Sequence, residues 1–253
     1  MITDLQKASI LKRIAAGIFD LILLCVLAVG CVWLLTSVMG YDSYNGELEQ
    51  AYADYETRYG VKFEISREQY ESMSPEQQER YTEAYNALIG DEKVLYTYNM
   101  LMNLTLLSTT FGILLAVLVL EFLIPLWLKN GQTVGKKIFA IGLIRTDGVQ
   151  VNNLQLFART ILGKFTIEIM IPVYIVIMIL FNAIGVVGPA VLGLIALVEV
   201  ICLIATRTNS MIHDLLAGTV VVDVSSQMIF RTTDDLIAYK KTIAAEQSAR
   251  QVY

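Results

Sequence analysis

Long apolar runs limit this chain to folds in which several helices cross a lipid bilayer. Residues 14–39 carry Asp20 as their single charge, and residues 98–128 carry only Glu121. A bilayer core of about 30 Å needs about 20 apolar residues in a helix, so each run is long enough for one span. The mean hydropathy of +0.57 and the 55% share of hydrophobic residues agree with an integral membrane protein.

A third apolar region, residues 156–206, is too long for a single span and predicts a helical hairpin. Asn, Gly and Pro cluster in the stretch FNAIGVVGP at residues 181–189, which is typical of a turn. The two spans of the hairpin are then expected near 164–180 and 188–206. The predicted fold class is an all-α membrane protein, a four-helix transmembrane bundle. The alternative has three spans, with residues 156–164 at the membrane interface.

Basic residues are concentrated in the segments before span one and between spans two and three. The positive-inside rule places these segments, and both termini, in the cytoplasm of a multi-pass cell-membrane protein. The residues concerned are Lys7, Lys12, Arg13, Lys129, Lys136, Lys137, Arg145, Arg159 and Lys164. Segment 41–96 instead carries 13 acidic and 5 basic residues, and we expect it outside the cell. This charge distribution gives no indication of nucleic-acid binding.

The acidic insert, residues 41–96, has sequence signals of short helices. Gly60 is a natural helix end, and the pairs Ser66–Gln69 and Ser74–Gln77 form capping boxes, the second followed by proline. The insert also holds nine of the 13 tyrosines. Such a cap either binds a membrane or envelope protein partner or packs on itself and on the membrane surface, where tyrosine is favoured.

The predicted spans divide the chain into six segments. The first span is longer than the apolar core of a signal peptide, and LAVGC at 27–31 lacks the larger aliphatic residue of a lipoprotein cleavage site, so we expect no cleavage. The segments are 1–40 (N-terminus and span one), 41–96 (insert), 97–128 (span two), 129–163 (cytoplasmic loop), 164–206 (hairpin of spans three and four) and 207–253 (cytoplasmic tail).

Two polar stretches outside the spans suggest local structure. The stretch KKIFAIGLIRTDGVQVNN, residues 136–153, predicts either a hairpin turning at Asp147–Gly148 or an interfacial amphipathic segment. The tail at 232–250 predicts a short exposed amphipathic helix. The three cysteines lie in apolar runs and fit no zinc pattern, so we expect no metal and no cofactor.

Each predicted span carries a carboxylate near its cytoplasmic side: Asp20, Glu121, Glu168 and Glu199. A carboxylate within the bilayer costs several kcal/mol, so these side chains should face the bundle interior or a water-filled cavity. They either form ion pairs that hold the bundle together or bind a small cation or proton. Pro125 and Pro172 each free the backbone carbonyl of the glutamate four residues earlier, which could add an oxygen ligand.

Four stretches together resemble the RDD family of bacterial membrane proteins. RIAAGIFD resembles its opening motif through Arg13, Ala16 and Asp20, and GQTVGKK resembles a second element through Gly131, Thr133, Gly135 and Lys136. Arg159 fits a later arginine, and HDLLAGTVVV resembles the closing motif through His213, Asp214, Ala217, Gly218, Thr219, Val221 and Val222. The resemblance implies a multi-span helical protein, with monovalent cation/proton antiport reported for some members. The acidic insert departs from the short loop usual in the family.

The motif residues also have a physical interpretation. GQTVGKK has the wrong spacing for a phosphate-binding loop, so its glycines, Gly131 and Gly135, are expected to allow a tight turn, while Lys136 and Lys137 contact anionic headgroups. Asp214 is expected to cap a helix or to pair with Arg13 across the cytoplasmic face. The predicted polar layer thus comprises Arg13, Asp20, Glu121, Glu168, Glu199 and Asp214.

Two functions follow from these residues. The first is transport of a small cation, coupled to protons through the intramembrane carboxylates. The alternative is a non-enzymatic accessory or assembly subunit that binds a partner through the insert. An enzyme is not expected, because no nucleophile accompanies the His213–Asp214 pair in a recognisable motif.

Overall fold

The computed structural model describes residues 5–128, 131–180 and 183–251. Lys129 and the first two residues of the predicted hairpin turn, Phe181 and Asn182, lie outside the described residues. Among the described residues, four helices are long and apolar enough to cross a membrane: Ile10–Val38, Glu92–Leu128, Asn153–Ile179 and Val187–Ala205. The predicted four-helix membrane bundle is confirmed. Helices this apolar imply contact with a lipid bilayer.

The described elements follow the chain in a simple order. The helices are α1 (Ile10–Val38), α2 (Tyr41–Tyr59), α3 (Arg67–Glu71), α4 (Pro75–Gly90), α5 (Glu92–Val117), α6 (Ile124–Leu128), α7 (Val134–Ile138), α8 (Asn153–Ala158), α9 (Ile171–Leu180), α10 (Val187–Ala205), α11 (Ile212–Ala217) and α12 (Thr233–Gln251). Two π-helical segments, π1 (Leu118–Leu123) and π2 (Arg159–Met170), lie within spans two and three, and the strands are β1 (Ile141–Arg145) and β2 (Thr219–Asp223).

The chain forms two compact units. Unit one comprises residues 1–28 and 114–253, and unit two comprises residues 29–113. In unit two, Ser66 and Ser74 form the two expected capping boxes, and α2 ends at Gly60 in the left-handed conformation, with φ +63°. Aromatic rings, including those of Phe63 and Tyr81, pack edge to face between these short helices.

Unit one contains a small antiparallel sheet that the helical class prediction does not include. Strand β1 pairs with β2, with Leu143 opposite Val221, and residues 6–8 hydrogen-bond to the outer edge of β2. The turn expected at Asp147–Gly148 is present, since the amide of Gly148 donates to Arg145, but the main partner of β1 is β2. The predicted hairpin is therefore present as a short antiparallel ladder, with Ile144 opposite Gln150, and the long-range pairing with β2 forms the larger part of the sheet.

Both faces of this sheet are buried. Ile141, Leu143 and Val221 pack into one apolar cluster, and Ile144 and Val220 pack into another on the opposite face. A strand that is buried on both faces reads as a continuous apolar run rather than an alternating one. This is why the stretch TVVV carries no alternating strand signal in the sequence.

The third membrane helix begins at Asn153, eleven residues before the predicted start of span three at residue 164. Asn152 and Gln155 form a capping box that starts the helix. Arg159 and Lys164 therefore lie well within the helix. The predicted topology instead placed Arg159 near the end of the loop and Lys164 at the first residue of the span. Their charges do not end the helix because each has a carboxylate partner. The tail forms the expected helix, α12.

Candidate functional site

The centre of unit one is a fully buried carboxylate held by two arginines. Asp214 Oδ2 lies 2.9 Å from the guanidinium of Arg13, and its Oδ1 lies 3.0 Å from Nε of Arg159. Arg13 also donates to the backbone carbonyl of Asn209. Burial alone would raise the pKa of Asp214, but the facing cations hold that pKa well below its usual range. Asp214 is thus an anion at neutral pH, and it pairs with Arg13 instead of capping α11.

A second ion pair continues from this centre. Glu121, on π1, accepts a hydrogen bond from Nζ of Lys164 at 2.5 Å, and its other oxygen lies 3.9 Å from Arg159. The backbone carbonyl of Glu121, which Pro125 leaves without its helical donor, accepts a hydrogen bond from the hydroxyl of Thr160 at 3.0 Å. The sequence suggests a cation or water beside this carbonyl, and the structure places a protein hydroxyl there instead.

Asp20 is buried but does not contact Arg13. Its carboxylate accepts hydrogen bonds from the hydroxyl of Thr133 at 2.5 Å and from the backbone amide of Gly135 at 2.7 Å. Both donors lie at the start of α7, where backbone amides have no helical partner. A Cβ atom on Gly135 would lie 2.4 Å from the carbonyl oxygen of Ala16, so only glycine permits this approach.

Glu168 and Glu199 differ from the other carboxylates in their partners. Glu168 pairs at 2.5 Å with Nδ1 of His213, and the backbone amide of His213 donates to the same oxygen. Glu199 faces Glu168 and accepts a long hydrogen bond of 3.4 Å from the amide of Ile212. Its second oxygen is buried without a hydrogen-bond partner in the described parts of the chain.

His213 lies between this pair and the central carboxylate. Its Nε2 atom lies 3.4 Å from Oδ1 of Asp214. Burial, followed by the nearby Arg159, lowers the pKa of His213 to about 4, against the opposing effect of the two carboxylates. At neutral pH His213 is uncharged, so it donates a hydrogen bond to Glu168 without neutralising the charge of that side chain.

A cavity of about 400 Å³ opens beside these groups. The titratable residues that line it are Arg13, Asp20, Glu121, Lys164, Glu168 and His213. The remaining lining residues are apolar side chains and one glycine, most of them on α1. Three of the four predicted carboxylates, Asp20, Glu121 and Glu168, therefore line the same cavity.

Lys136 does not extend toward headgroups as the sequence suggested. It is 7% exposed, and its Nζ atom has no hydrogen-bond partner among the described residues. Burial, followed by the charge of Arg159, lowers the pKa of Lys136 to about 7. Lys164 also lowers it, whereas Glu121 and Asp214 act in the opposite direction. Lys137, its neighbour, is exposed and remains available to an anionic surface.

Replacing Lys136 should change how stability depends on pH. The pKa of Lys136 is about 7 in the folded protein, against an ordinary lysine value of 10.5, so the unfolded chain binds more protons between these values. Stability should therefore rise with pH from about 7 to 10. In Lys136→Met most of this rise should disappear, as measured by thermal unfolding in detergent across that range. Lys137→Met is the matched control and should keep the rise; a Lys136→Met profile equal to that of the wild type would contradict the assignment.

The structure thus divides the predicted polar layer. Arg13, Asp214 and Glu121 share one ion-pair network, Asp20 binds the start of α7, and Glu168 and Glu199 form a separate pair. Sequence reasoning did not include Arg159, Thr133, His213 or Gly163 among the site residues. Gly163 carried no signal, yet a Cβ atom there would lie 2.4 Å from Cβ of His213. The other three, Arg159, Thr133 and His213, did have a sequence signal, because each belongs to a stretch that resembles a family motif.

The profile of the RDD family matches residues 7–218, which is most of the chain. The chain belongs to the RDD family. No curated protein and no solved structure matches it. In this RDD protein the four motif stretches lie together in unit one, because Arg13 binds Asp214, Asp20 binds Thr133 and Gly135, and Arg159 joins Asp214 to Glu121.

The RDD motifs are therefore explained by contacts among themselves. The opening arginine and the aspartate of the closing motif form a buried pair, while the opening aspartate receives the donors of the glycine-containing element. In the closing motif, Gly218 has φ +63° and ends α11, which lets β2 begin at the next residue. These contacts assign a structural role to most motif residues, while Glu168 contacts the motifs through His213 and Glu199 accepts a long hydrogen bond from the amide of Ile212.

Proposed function

We propose that this RDD protein transports a small cation across the cell membrane in exchange for protons, and that Glu168 and Glu199 are the exchanging carboxyl groups. The observation that carries the proposal is the difference in their partners. Glu121 and Asp214 have lysine or arginine partners within 4.0 Å, whereas no such partner of Glu168 or Glu199 occurs among the described residues. A carboxylate without a fixed cation can bind either a proton or a mobile cation.

The surroundings of this pair support exchange. Glu168 lines the cavity, so a cation can reach it without displacing the ion pairs that hold the unit together. The facing carboxyl of Glu199 disfavours the presence of two negative charges, so binding of a proton or a cation relieves their repulsion. In this proposal the protein is not an enzyme. Both termini and the basic loop are cytoplasmic, and the acidic insert is external. Lys137 contacts lipid headgroups.

Glu168→Gln tests the proposal. Purified protein in proteoliposomes containing a pH-sensitive dye should release or take up protons when a gradient of Na⁺, K⁺ or an organic ammonium ion is imposed. In Glu168→Gln this cation-dependent proton flux should fall to that of protein-free liposomes, because the amide cannot exchange a proton. Glu246→Gln, which neutralises an exposed carboxylate on α12, is the matched control and should retain the wild-type flux.

Elution of Glu168→Gln as a single folded species separates loss of flux from loss of structure. Wild-type protein that gives no flux above empty liposomes with any of these cations would refute transport. A folded Glu168→Gln protein with wild-type flux would refute the role of this carboxylate.

A further inference from the structure

The cavity beside Glu168 has a polar end and apolar walls. Its walls are formed mainly by Ile14, Ile18, Leu21, Leu24, Ile169 and Leu203. These side chains offer no oxygen or nitrogen atoms to a ligand. On α1 the charged lining residues are Arg13 and Asp20, and the lining continues beyond Asp20 with Leu21 and Leu24 only, so a ligand that extends along α1 meets charge at one end.

The charges that line the cavity sum to a negative value. Three carboxylates, Asp20, Glu121 and Glu168, face two cations, Arg13 and Lys164, while His213 is neutral at pH 7. Each of the two cations is already bound to a carboxylate, at 2.9 Å for Arg13 and 2.5 Å for Lys164. The remaining negative charge favours a cation at the Glu168 end.

The donor set does not suit a bare metal cation. Within the part of the chain that the structure describes, no group of three or more histidine, cysteine, aspartate or glutamate side chains is placed to hold a metal ion. Hard cations need several oxygen ligands to replace their water, and apolar walls supply none. A cavity of about 400 Å³ is also far larger than one ion requires, and it falls in the size range of small-molecule sites.

We propose that the cavity binds an organic ammonium ion with an apolar body, its charged nitrogen beside Glu168 and its body against the side chains of α1. This inference rests on the proposed function, since it names the class of cation that the transporter carries. The apolar body packs on the walls, and the charge meets Glu168, a carboxylate that has no lysine or arginine partner among the described residues. A cation without an apolar body, or an apolar molecule without a charge, would use only one end of the cavity.

Gly17 provides the variant that tests this proposal. It lines the cavity, and a Cβ atom built on it meets nothing within 4 Å, so a large side chain there fills the space without displacing backbone. Gly17→Phe should block the apolar part of the cavity. Gly30→Phe is the matched control, because Gly30 lies on the same helix, is also free of neighbours within 4 Å and does not line the cavity.

Binding is measured by isothermal titration of the full-length protein in detergent, with no gradient and no flux. The probe is benzyltrimethylammonium, compared with tetramethylammonium, which lacks the apolar body, and with 2-phenylethanol, which lacks the charge. Benzyltrimethylammonium should bind at least about tenfold more tightly than either, since burying the ring removes apolar area from water. Gly17→Phe and Glu168→Gln should each weaken its binding at least about tenfold, and Gly30→Phe should not.

Four results would overturn the inference. Equal binding of tetramethylammonium and benzyltrimethylammonium would show that the walls do not contribute. Binding that Gly17→Phe leaves unchanged would place the ligand elsewhere. Binding of 2-phenylethanol that matches that of the cation and does not depend on Glu168 would indicate an apolar site, such as one for a lipid chain. Proton flux with Na⁺ or K⁺ but no benzyltrimethylammonium binding would refute this inference alone, whereas binding without any flux would refute transport alone.

Discussion

Asp214→Asn is expected to remove a large part of the stability of the folded protein. The variant keeps the size of the side chain but removes its charge, which leaves Arg13 and Arg159 buried without their common anion. Breaking a buried ion pair by removing one partner costs about 3–5 kcal/mol. The total stability of a protein is about 5–15 kcal/mol, so the unfolding midpoint should fall sharply. The measurement is the folded fraction after detergent extraction, together with its thermal unfolding midpoint.

Asp223→Asn is the matched control. Asp223 also binds a cation, Lys12, at 2.6 Å, but that lysine side chain is 42% exposed. Solvent screens such a pair, so its loss should change the unfolding midpoint little. The assignment of Asp214 as the centre of the network would be refuted if the two variants unfolded at the same temperature.

Gly135→Ala is expected to be strongly destabilising. The added carbon would lie 2.4 Å from the backbone oxygen of Ala16 and 2.9 Å from the carboxylate of Asp20. Because the first contact is with backbone, α7 and α1 must separate, and the hydrogen bonds to Asp20 lengthen. Overpacking of this kind costs about 1–3 kcal/mol, and a buried carboxylate that loses its donors adds to that cost.

Gly193→Ala is the corresponding control. Gly193 lies within α10, and a Cβ atom there meets nothing within 4 Å. Alanine is the better helix former by roughly 0.5–1 kcal/mol, so this variant should be as stable as the wild type or slightly more so. Thermal unfolding of both variants under the same conditions decides the question. A Gly135→Ala midpoint as high as that of Gly193→Ala would contradict the close approach of α7 and α1.

The features that could be predicted from the sequence are those with local signals. Four spans follow from run length, and the helix boundaries at Gly60, Ser66 and Ser74 follow from capping residues that lie within a few positions of each other. The pairing of β1 with β2 has no such signal, because the partners are far apart in the chain. The π-helical segments are equally invisible, since their residues have the same apolar pattern as an α-helix.

The sequence predicted which residues belong to the candidate site better than it predicted which of them contact each other. Counting residues along each helix gave the depth of Asp20, Glu121, Glu168 and Glu199, but depth does not determine the partner. Arg13 and Asp20 lie on nearly the same face of α1, yet the arginine binds Asp214 and the aspartate binds α7. Which carboxylates have fixed partners depends on how α7 and α11 pack against the spans. That packing distinguishes these carboxylates from the pair formed by Glu168 and Glu199.

The distance along the chain between Arg13 and its partner has a consequence for biosynthesis. Asp214 follows Arg13 by 201 residues, and the donors to Asp20 follow it by 113 and 115 residues. Ribosomes add about 5–20 residues per second, so roughly 10–40 s separate the synthesis of Arg13 from that of Asp214. The first span therefore leaves the ribosome with both of its buried charges unpaired. The ion pair between Arg13 and Asp214 can form only after the last motif has been made.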